Sequence, residues 1–370
     1  MTLLLNISDV NMVTVRLENI THVYPGNVEA VKNVSITFVP TFNGLLGPSG
    51  CGKTTLMKII AGLISPTKGR VYFNDTDVTD LSPQARNIAM VFQFPVVYDM
   101  SVYDNIAFPL RVRKVSEHEI RKKVQDVADF LNLKDVLGKN ALKLDSNSKQ
   151  RVAIARALVR DPNLFILDEP FSNVDPENRL VLRAKLKEIQ RELKRPMIFV
   201  THDQAEALTL SEMIAIMKEG RIIQYDTPEK IYSDPKDVFV AYFVGIPGMN
   251  LLDCSLENGK LKVGEILLDI SSVKNVNVLE LEKYGSEFIL GIRAEHIDVC
   301  KTSMSKEYIP MKCILVEDLG VLQLLYLQGK GINLKAKVSH DLGITEGDTV
   351  YVKLAGEYLK IFKKTGERIL

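Results

Sequence analysis

The stretch that most limits what this chain can become is Gly47–Thr54, "GPSGCGKT". It fits the spacing glycine, four residues, Gly-Lys-Ser/Thr, which marks a phosphate-binding loop when a strand precedes it and a helix follows. Here "GLL" leads in and "TLMKIIAGL" leads out, so the context is met. The glycines let backbone N–H groups face phosphate oxygens, and the start of the following helix adds positive potential there. The expected nucleotide contacts are Gly47, Pro48, Ser49, Gly50, Cys51, Gly52, Lys53, Thr54 and Thr55. Lys53 should reach the β- and γ-phosphates, and the Thr54 hydroxyl should bind Mg²⁺. A chance glycine turn is the plain alternative, and the flanking pattern argues against it.

A second signal lies far downstream. "LFILDEP" is an apolar run ending in Asp168 and Glu169. A strand that ends in Asp-Glu usually means nothing, but in a chain with a phosphate loop it supplies two missing parts. Asp168 is expected to hold Mg²⁺, directly or through water, and Glu169 to act as general base on the attacking water.

The rest of the chain alternates around these signals. Residues 13–43 hold short apolar runs suited to strands with turns, and "KGRVYFNDTDV" reads as a strand pair. From about 94 to 160 the pattern is helical. Ser116 and Glu119 form a capping box, and Ile120, Val124, Val127 and Leu131 share one helical face. Residues 163–245 return to strand and helix in turn, which predicts an α/β domain with a parallel sheet. "NLFILDEP" and "PMIFV" suit its central strands. After "GIPGMN" (Gly245–Asn250) the runs "GEILLDI", "KCILVED", "LQLLYLQ", "INLKAKV" and "DTVYVKLAGEYLKIF" predict a small all-β barrel. The expected divisions are an extension over 1–12, a nucleotide-binding domain over 13–245 and the barrel over 246–370.

Several function classes drop out. Lys plus Arg number 47 against 46 for Asp plus Glu, which gives nucleic acid no electrostatic footprint as a main partner. No window is long and apolar enough for a membrane-spanning helix. "MTLLLNISDVNM" lacks the basic start of a signal peptide, and a start at Met12 or a tag is possible. Cys51, Cys254, Cys300 and Cys313 show no metal spacing and are expected to be free thiols in a reducing cytosol.

The order of these parts resembles the ATP-binding subunits of ABC transporters, within them the importers of maltose, other sugars, glycerol or glycerol phosphate. The likeness runs from about residue 13 to the end. It implies a P-loop cassette with a helical subdomain at about 94–160, followed by an OB-like regulatory barrel. Further roles follow from the resemblance. Tyr24 in "HVYPGNVEAV" stands where an aromatic ring stacks on adenine. Gln93 in "MVFQF" matches the Q-loop glutamine that touches Mg²⁺ or water. Asp175 in "SNVD" matches the D-loop and faces a dimer partner. His202 in "FVTHDQAEAL" matches the switch histidine at the γ-phosphate. "GIRAEH" (Gly291–His296) is similar to the G-I-R-P-E-H segment of the barrel, with Ala294 in place of proline. ATP and Mg²⁺ are the implied cofactors. Integral permease subunits at the cytoplasmic face of the membrane, and indirectly an external solute-binding protein, are the implied partners.

The chain departs from that family where it matters for pairing. Before "QRVAIARAL" the usual L-S-G-G-Q reads Leu144, Asp145, Ser146, Asn147, Ser148. In the family, the serine and glycine N–H groups there bind the γ-phosphate held by the opposite subunit. A carboxylate in place of the hydroxyl predicts repulsion, and lost glycines predict crowding. "LDSNS" also reads well as a simple helix cap. The expectation is therefore a heterodimer with a second cassette subunit whose signature is intact, with a homodimer as the alternative. A subunit that binds nucleotide but hydrolyses weakly is the second functional expectation. "FVPTFNGLLGPSG" lacks the usual Gly-Glu turn, and "QFPVVYDMSV" looks one residue short for a Q-loop, so docking to the permease is expected to be specialised.

Overall fold

The computed structural model describes residues 13–172, 174–269, 273, 278–305 and 307–369. The segment 1–12 expected as an extension lies outside them, as does Asn173 of the D-loop. The chain divides into two compact units after Pro228. From the sequence the change of character falls near 246. The division comes earlier because Ala241, Met249 and Phe362 share one apolar cluster within the second unit.

In chain order, the first unit contains β1 (Val15–Tyr24), β2 (Val28–Phe38), β3 (Phe42–Leu46), α1 (Lys53–Ala61), β4 (Lys68–Phe73), β5 (Thr76–Asp77) and β6 (Ile88–Val91). Helices α2 (Val102–Val112), α3 (Glu117–Phe130) and α4 (Ser146–Leu158) follow. Then come β7 (Leu164–Asp168), α5 (Pro176–Leu193), β8 (Met197–Thr201), α6 (Gln204–Leu210), β9 (Met213–Lys218) and β10 (Arg221–Asp226). One sheet runs β2-β1-β4-β5 and a larger one β10-β9-β3-β8-β7-β6. From β9 to β6 every pairing is parallel.

The central strands are buried on both faces, which is why they read as unbroken apolar runs. Alternate residues feed two cores. Phe165 and Leu167 face the cluster that α2, α3 and α4 cover, while Leu164 and Ile166 face the cluster around α1. On α3 the predicted face, Ile120, Val124 and Val127, is buried, and Leu131 just beyond it is buried too. Ser116 caps the helix by accepting from the Glu119 N–H at 3.3 Å.

The end of α1 is closed by a residue no motif announces. Arg86 is 2% exposed. It donates to the carbonyls of Ile59 and Ile60, each at 2.7 Å, and to those of Thr79 at 2.8 Å and Leu81 at 3.0 Å. The carbonyls of a last helical turn have no partner within the helix, and one guanidinium supplies them here.

The second unit follows α7 (Pro228–Ser233) with α8 (Val238–Phe243) and, among the described residues, ten strands. They are β11 (Asn250–Glu257), β12 (Lys260–Val263), β13 (Ile266–Asp269), β14 (Glu287–Ile292), β15 (Ile297–Cys300), β16 (Ile309–Asp318), β17 (Leu322–Gly329), β18 (Ile332–Ser339), β19 (Thr349–Leu354) and β20 (Lys360–Lys363). Two antiparallel sheets, β13-β12-β11-β14-β20 and β15-β19-β16-β17-β18, pack around a single apolar core as a barrel. "GIRAEH" gains a reason here. A side chain at Gly291 would meet Met249 Sδ at 2.6 Å and the Phe362 ring at 2.9 Å. Arg293 is buried and donates to the carbonyls of Tyr232, Ala241 and Val244. All four cysteines are buried free thiols. No described helix is long and apolar enough to cross a membrane.

Candidate nucleotide site

Strand β3 delivers the phosphate loop and α1 receives it. Two of its glycines are dictated by close backbone approach. A Cβ on Gly47 would lie 2.2 Å from the Met217 carbonyl oxygen, and one on Gly52 2.3 Å from that of Ala30. Gly52, at φ 107°, stands at the N-cap of α1 and offers no side chain to the first turn. The N–H groups of that turn are therefore left to an anion. Lys53 is 7% exposed. Its ammonium donates to the carbonyls of Gly47 at 2.7 Å and Pro48 at 2.8 Å, so the loop's own oxygens hold the charge. Burial pushes the neighbouring Cys51 thiol up, against the opposing pull of Lys53. Tyr24 Oη lies 3.3 Å from Thr55 Oγ1, which sets the ring beside the start of α1.

Asp168 and Glu169 come at the end of β7. Burial raises the Asp168 carboxyl above its ordinary range, with the Glu169 charge adding to the rise and Lys53 and Lys58 opposing it. Glu169 has a left-handed backbone, φ 43°. Its two carboxylate oxygens take different partners. Gln93 Nε2 donates to Oε2 at 2.8 Å, and His202 Nδ1 lies 2.9 Å from Oε1. Three residues far apart in the chain thus converge on one carboxylate.

The donor set can be tested against a Mg-nucleotide. Among the described residues, no group of three or more His, Cys, Asp or Glu could hold a metal ion alone. A loop of inward backbone with a hydroxyl at Thr54, one carboxylate at Asp168 and an amide at Gln93 fits instead a small cation that shares its ligands with phosphate and water.

The altered signature stands at the start of α4. Asp145 is its N-cap, accepting from the Ser148 N–H at 2.8 Å and the Ser148 hydroxyl at 2.9 Å. The backbone bond from Ser148 leads the causes that hold the Asp145 carboxyl below its ordinary 3.8. Asn147 Nδ2 donates to Asp175 Oδ2 at 2.6 Å, and Asp175 in turn caps α5 through the Asn178 N–H. Two motifs that are separate in the sequence are tied side chain to side chain.

No motif announces Thr201, Glu206 and Arg183. The Thr201 hydroxyl donates to Glu206 Oε2 at 2.7 Å, and Arg183 Nη2 donates to Glu206 Oε1 at 2.7 Å. "THDQAEAL" placed a glutamate at the start of a helix, where one usually complements the helix dipole in solvent. Only the fold shows it buried, at 5% exposed.

Known proteins resemble the chain over its length. Residues 31–172 match the family model described as ABC transporter, and 245–297 match the MalK OB fold domain. The trehalose/maltose import ATP-binding protein MalK of Thermococcus litoralis is 39% identical over 369 residues, 96% of this chain and 98% of that one. The oligosaccharides import ATP-binding protein MsmX of Bacillus subtilis is 38% identical over 346 residues, 92% and 95% of the two chains. The sn-glycerol-3-phosphate import ATP-binding protein UgpC of Psychromonas ingrahamii is 40% identical over 319 residues, 85% and 82%. Among solved structures, cbiO1 from Clostridium perfringens, part of the ABC transporter complex cbiONQ, matches with a TM-score of 0.57 at 29% identity, covering 60% of this chain and 92% of its own.

Proposed function

Because the chain belongs to the family of ABC transporter ATP-binding subunits that includes MalK, UgpC and MsmX, we propose that it binds Mg-ATP at Gly47–Thr55 and drives uptake of a sugar, polyol or related small solute. Membership makes it an ATPase that energises an importer. Residues 13–228 serve as the cassette, and the unit that begins at 229 serves as a regulatory barrel with α8 packed in it. The observation that carries the assignment of the site is the Glu169 carboxylate, held on one oxygen by Gln93 and met on the other by His202.

Each residue has a role in this scheme. Tyr24 packs against adenine, and the loop amides from Gly47 to Thr55 bind phosphate oxygens. Lys53 leaves the Gly47 and Pro48 carbonyls for the β- and γ-phosphates. Thr54 and Asp168 hold Mg²⁺, with Gln93 beside them, and the ion offsets charge on the phosphates. Glu169 accepts the proton of the attacking water, and His202 steadies the γ-phosphate. Phe92, Tyr98 and Phe108 are exposed around a cavity of about 290 Å³ next to the Q-loop, and Phe94, one residue after Gln93, is exposed as well. Exposed aromatics in such a cluster suit the cytoplasmic face of a permease partner. An external solute-binding protein acts through that permease. The second cassette is a different chain with an intact signature, since Asp145 is committed to its own helix.

Glu169→Gln tests the site. It keeps the size and one acceptor but removes the base. Nucleotide should still bind, while hydrolysis in the assembled transporter drops by roughly 10²-fold or more. Equal turnover would overturn the assignment. Full binding with negligible hydrolysis already in the unaltered complex would favour the weakly hydrolysing subunit.

A further inference from the structure

His202 sits on a short turn between β8 and α6, and its side chain is 60% exposed. An exposed ring is not held by packing, so its direction depends on how firmly the turn is fixed. Asp203 caps α6 by accepting from the Glu206 N–H at 3.1 Å, and the Thr201 hydroxyl ties the turn on both sides of His202. Thr201, 2% exposed, accepts from the Asp203 N–H at 3.0 Å and donates to Glu206 at 2.7 Å. Its bonds thus straddle His202. The other oxygen of Glu206 is bound by Arg183 of α5. The Arg183 guanidinium also lies over the Phe171 ring, 5.5 Å from its centre. Phe171 is fully buried two residues after Glu169. One arginine therefore braces both the strand end that carries Glu169 and the turn that carries His202.

Stability alone gives little reason for such a pair. Removing two charges from water is costly, and well-packed apolar residues would stabilise as well or better. Among the described residues the buried Arg183 Nε has no hydrogen-bond partner, so the pair is not optimised even as an ion pair. What the pair supplies is direction. Both oxygens of one carboxylate are committed, and a hydrogen bond weakens steeply once its geometry drifts. The contact between His202 and Glu169, at 2.9 Å, is of ordinary length and depends on the turn keeping its place.

We infer, resting on the proposed role of His202 in hydrolysis, that Glu206 is a positioning residue, buried on Arg183 and acting through the Thr201 hydroxyl to aim His202 at Glu169 and the γ-phosphate. Glu206 touches no reacting atom. It sets the turn, and Thr201 passes the setting on.

The experiment is a double-mutant cycle on the full chain, purified in its transporter complex. Single-turnover ATP hydrolysis and nucleotide affinity are measured for Glu206→Ala, Thr201→Val, Thr201→Ser and His202→Ala, and for Glu206→Ala combined with His202→Ala. Glu206→Ala and Thr201→Val should each slow hydrolysis by roughly tenfold to a hundredfold, the scale of a misplaced group, with affinity changed by less than about twofold. Thr201→Ser, which keeps the hydroxyl, should restore most of the rate. In the His202→Ala background, Glu206→Ala should cost less than about a further twofold, because its route of action is gone. A loss that multiplies in full across the two substitutions overturns the inference and leaves His202 in its role. Unchanged turnover in His202→Ala alone would instead refute that role, and the inference with it. Thr201→Val is nearly isosteric and covers the case in which Glu206→Ala fails to fold; wild-type turnover there also overturns the inference.

Discussion

In the proposed site, Lys53 is poised by the groups it would leave. Its ammonium is buried and shared between two carbonyls of its own loop. A point charge so held is close to the phosphate position and does not have to be desolvated from bulk water when ATP arrives. Lys53→Ala removes a charged donor, and a hydrogen bond to a charged group is worth roughly 1.5–3 kcal/mol. Nucleotide affinity should therefore fall by about tenfold or more in a titration with a fluorescent ATP analogue, and an unchanged affinity would show the site to be misplaced. At this scale the sequence was informative wherever one motif holds its own partners. Gly47 to Thr54 are eight consecutive residues, so spacing alone could propose them as a site. Glu206 and Arg183 make sense only together, and they come from two different helices. No local pattern could have paired them, and the usual behaviour of a glutamate early in a helix pointed to solvent.

Among the elements, α4 and α1 are closed by opposite devices. The start of α4 depends on Asp145, and replacing such a cap with alanine costs about 1 kcal/mol. Its carboxyl is held below the ordinary 3.8, so the sign is fixed. The charged cap's contribution is complete above 3.8 and is lost as pH falls through the lowered folded value. Asp145→Asn keeps an acceptor without the charge. The stability difference between wild type and Asp145→Asn, from urea unfolding, should therefore be constant near neutrality and shift against the wild type on acidification below 3.8. A difference that stays flat down to pH about 3 would show that the cap's charge contributes nothing. At the end of α1, Arg86→Met keeps the buried stem but abandons carbonyls in the helix and in the segment after β5. Stranded buried acceptors cost roughly 1–3 kcal/mol each where no water reaches them, so a loss of about 3 kcal/mol is expected in the same assay. The element types were legible because α3 repeats its apolar face and β7 and β8 are apolar runs broken only at their last residue. Arg86 was not, because its partners Ile59 and Ile60 lie a whole strand pair earlier in the chain. The division after Pro228 was hidden for a related reason. The short helix α8 looks like cassette sequence, yet Ala241 packs with Met249 and Phe362 in the second unit.

At the scale of the working molecule, the proposed scheme makes Asp145 the residue that sets the choice of partner. In the proposed scheme each ATP lies between one chain's phosphate loop and the other chain's signature. A homodimer would bring Asp145 to both shared sites. Two unit charges about 4 Å apart repel by roughly 4 kcal/mol at an effective dielectric near 20, on the order of a thousandfold in an equilibrium. In the chain without nucleotide, the bond from Ser148 holds the Asp145 carboxyl below its ordinary value, which favours the charged form. The Ser148 N–H is not free to bind phosphate, because Asp145 takes it. Asn147 is likewise engaged by Asp175. In a heterodimer only one site suffers. ATP on this chain's Lys53 and Glu169 would meet the partner's intact signature and be hydrolysed, while ATP on the partner would meet "LDSNS" and turn over slowly. Purifying the native complex and counting its cassette chains should therefore give one copy of this chain and one of another. Two copies of this chain with full ATP-driven uptake would refute the asymmetric scheme in favour of the common symmetric pair. Restoring Ser-Gly-Gly-Gln at 145–148 gives an independent check, provided hydrolysis at the two sites is separated by trapping one of them. Turnover should rise at the partner's nucleotide and stay nearly constant at this chain's own, because the restored residues face only the nucleotide across the interface.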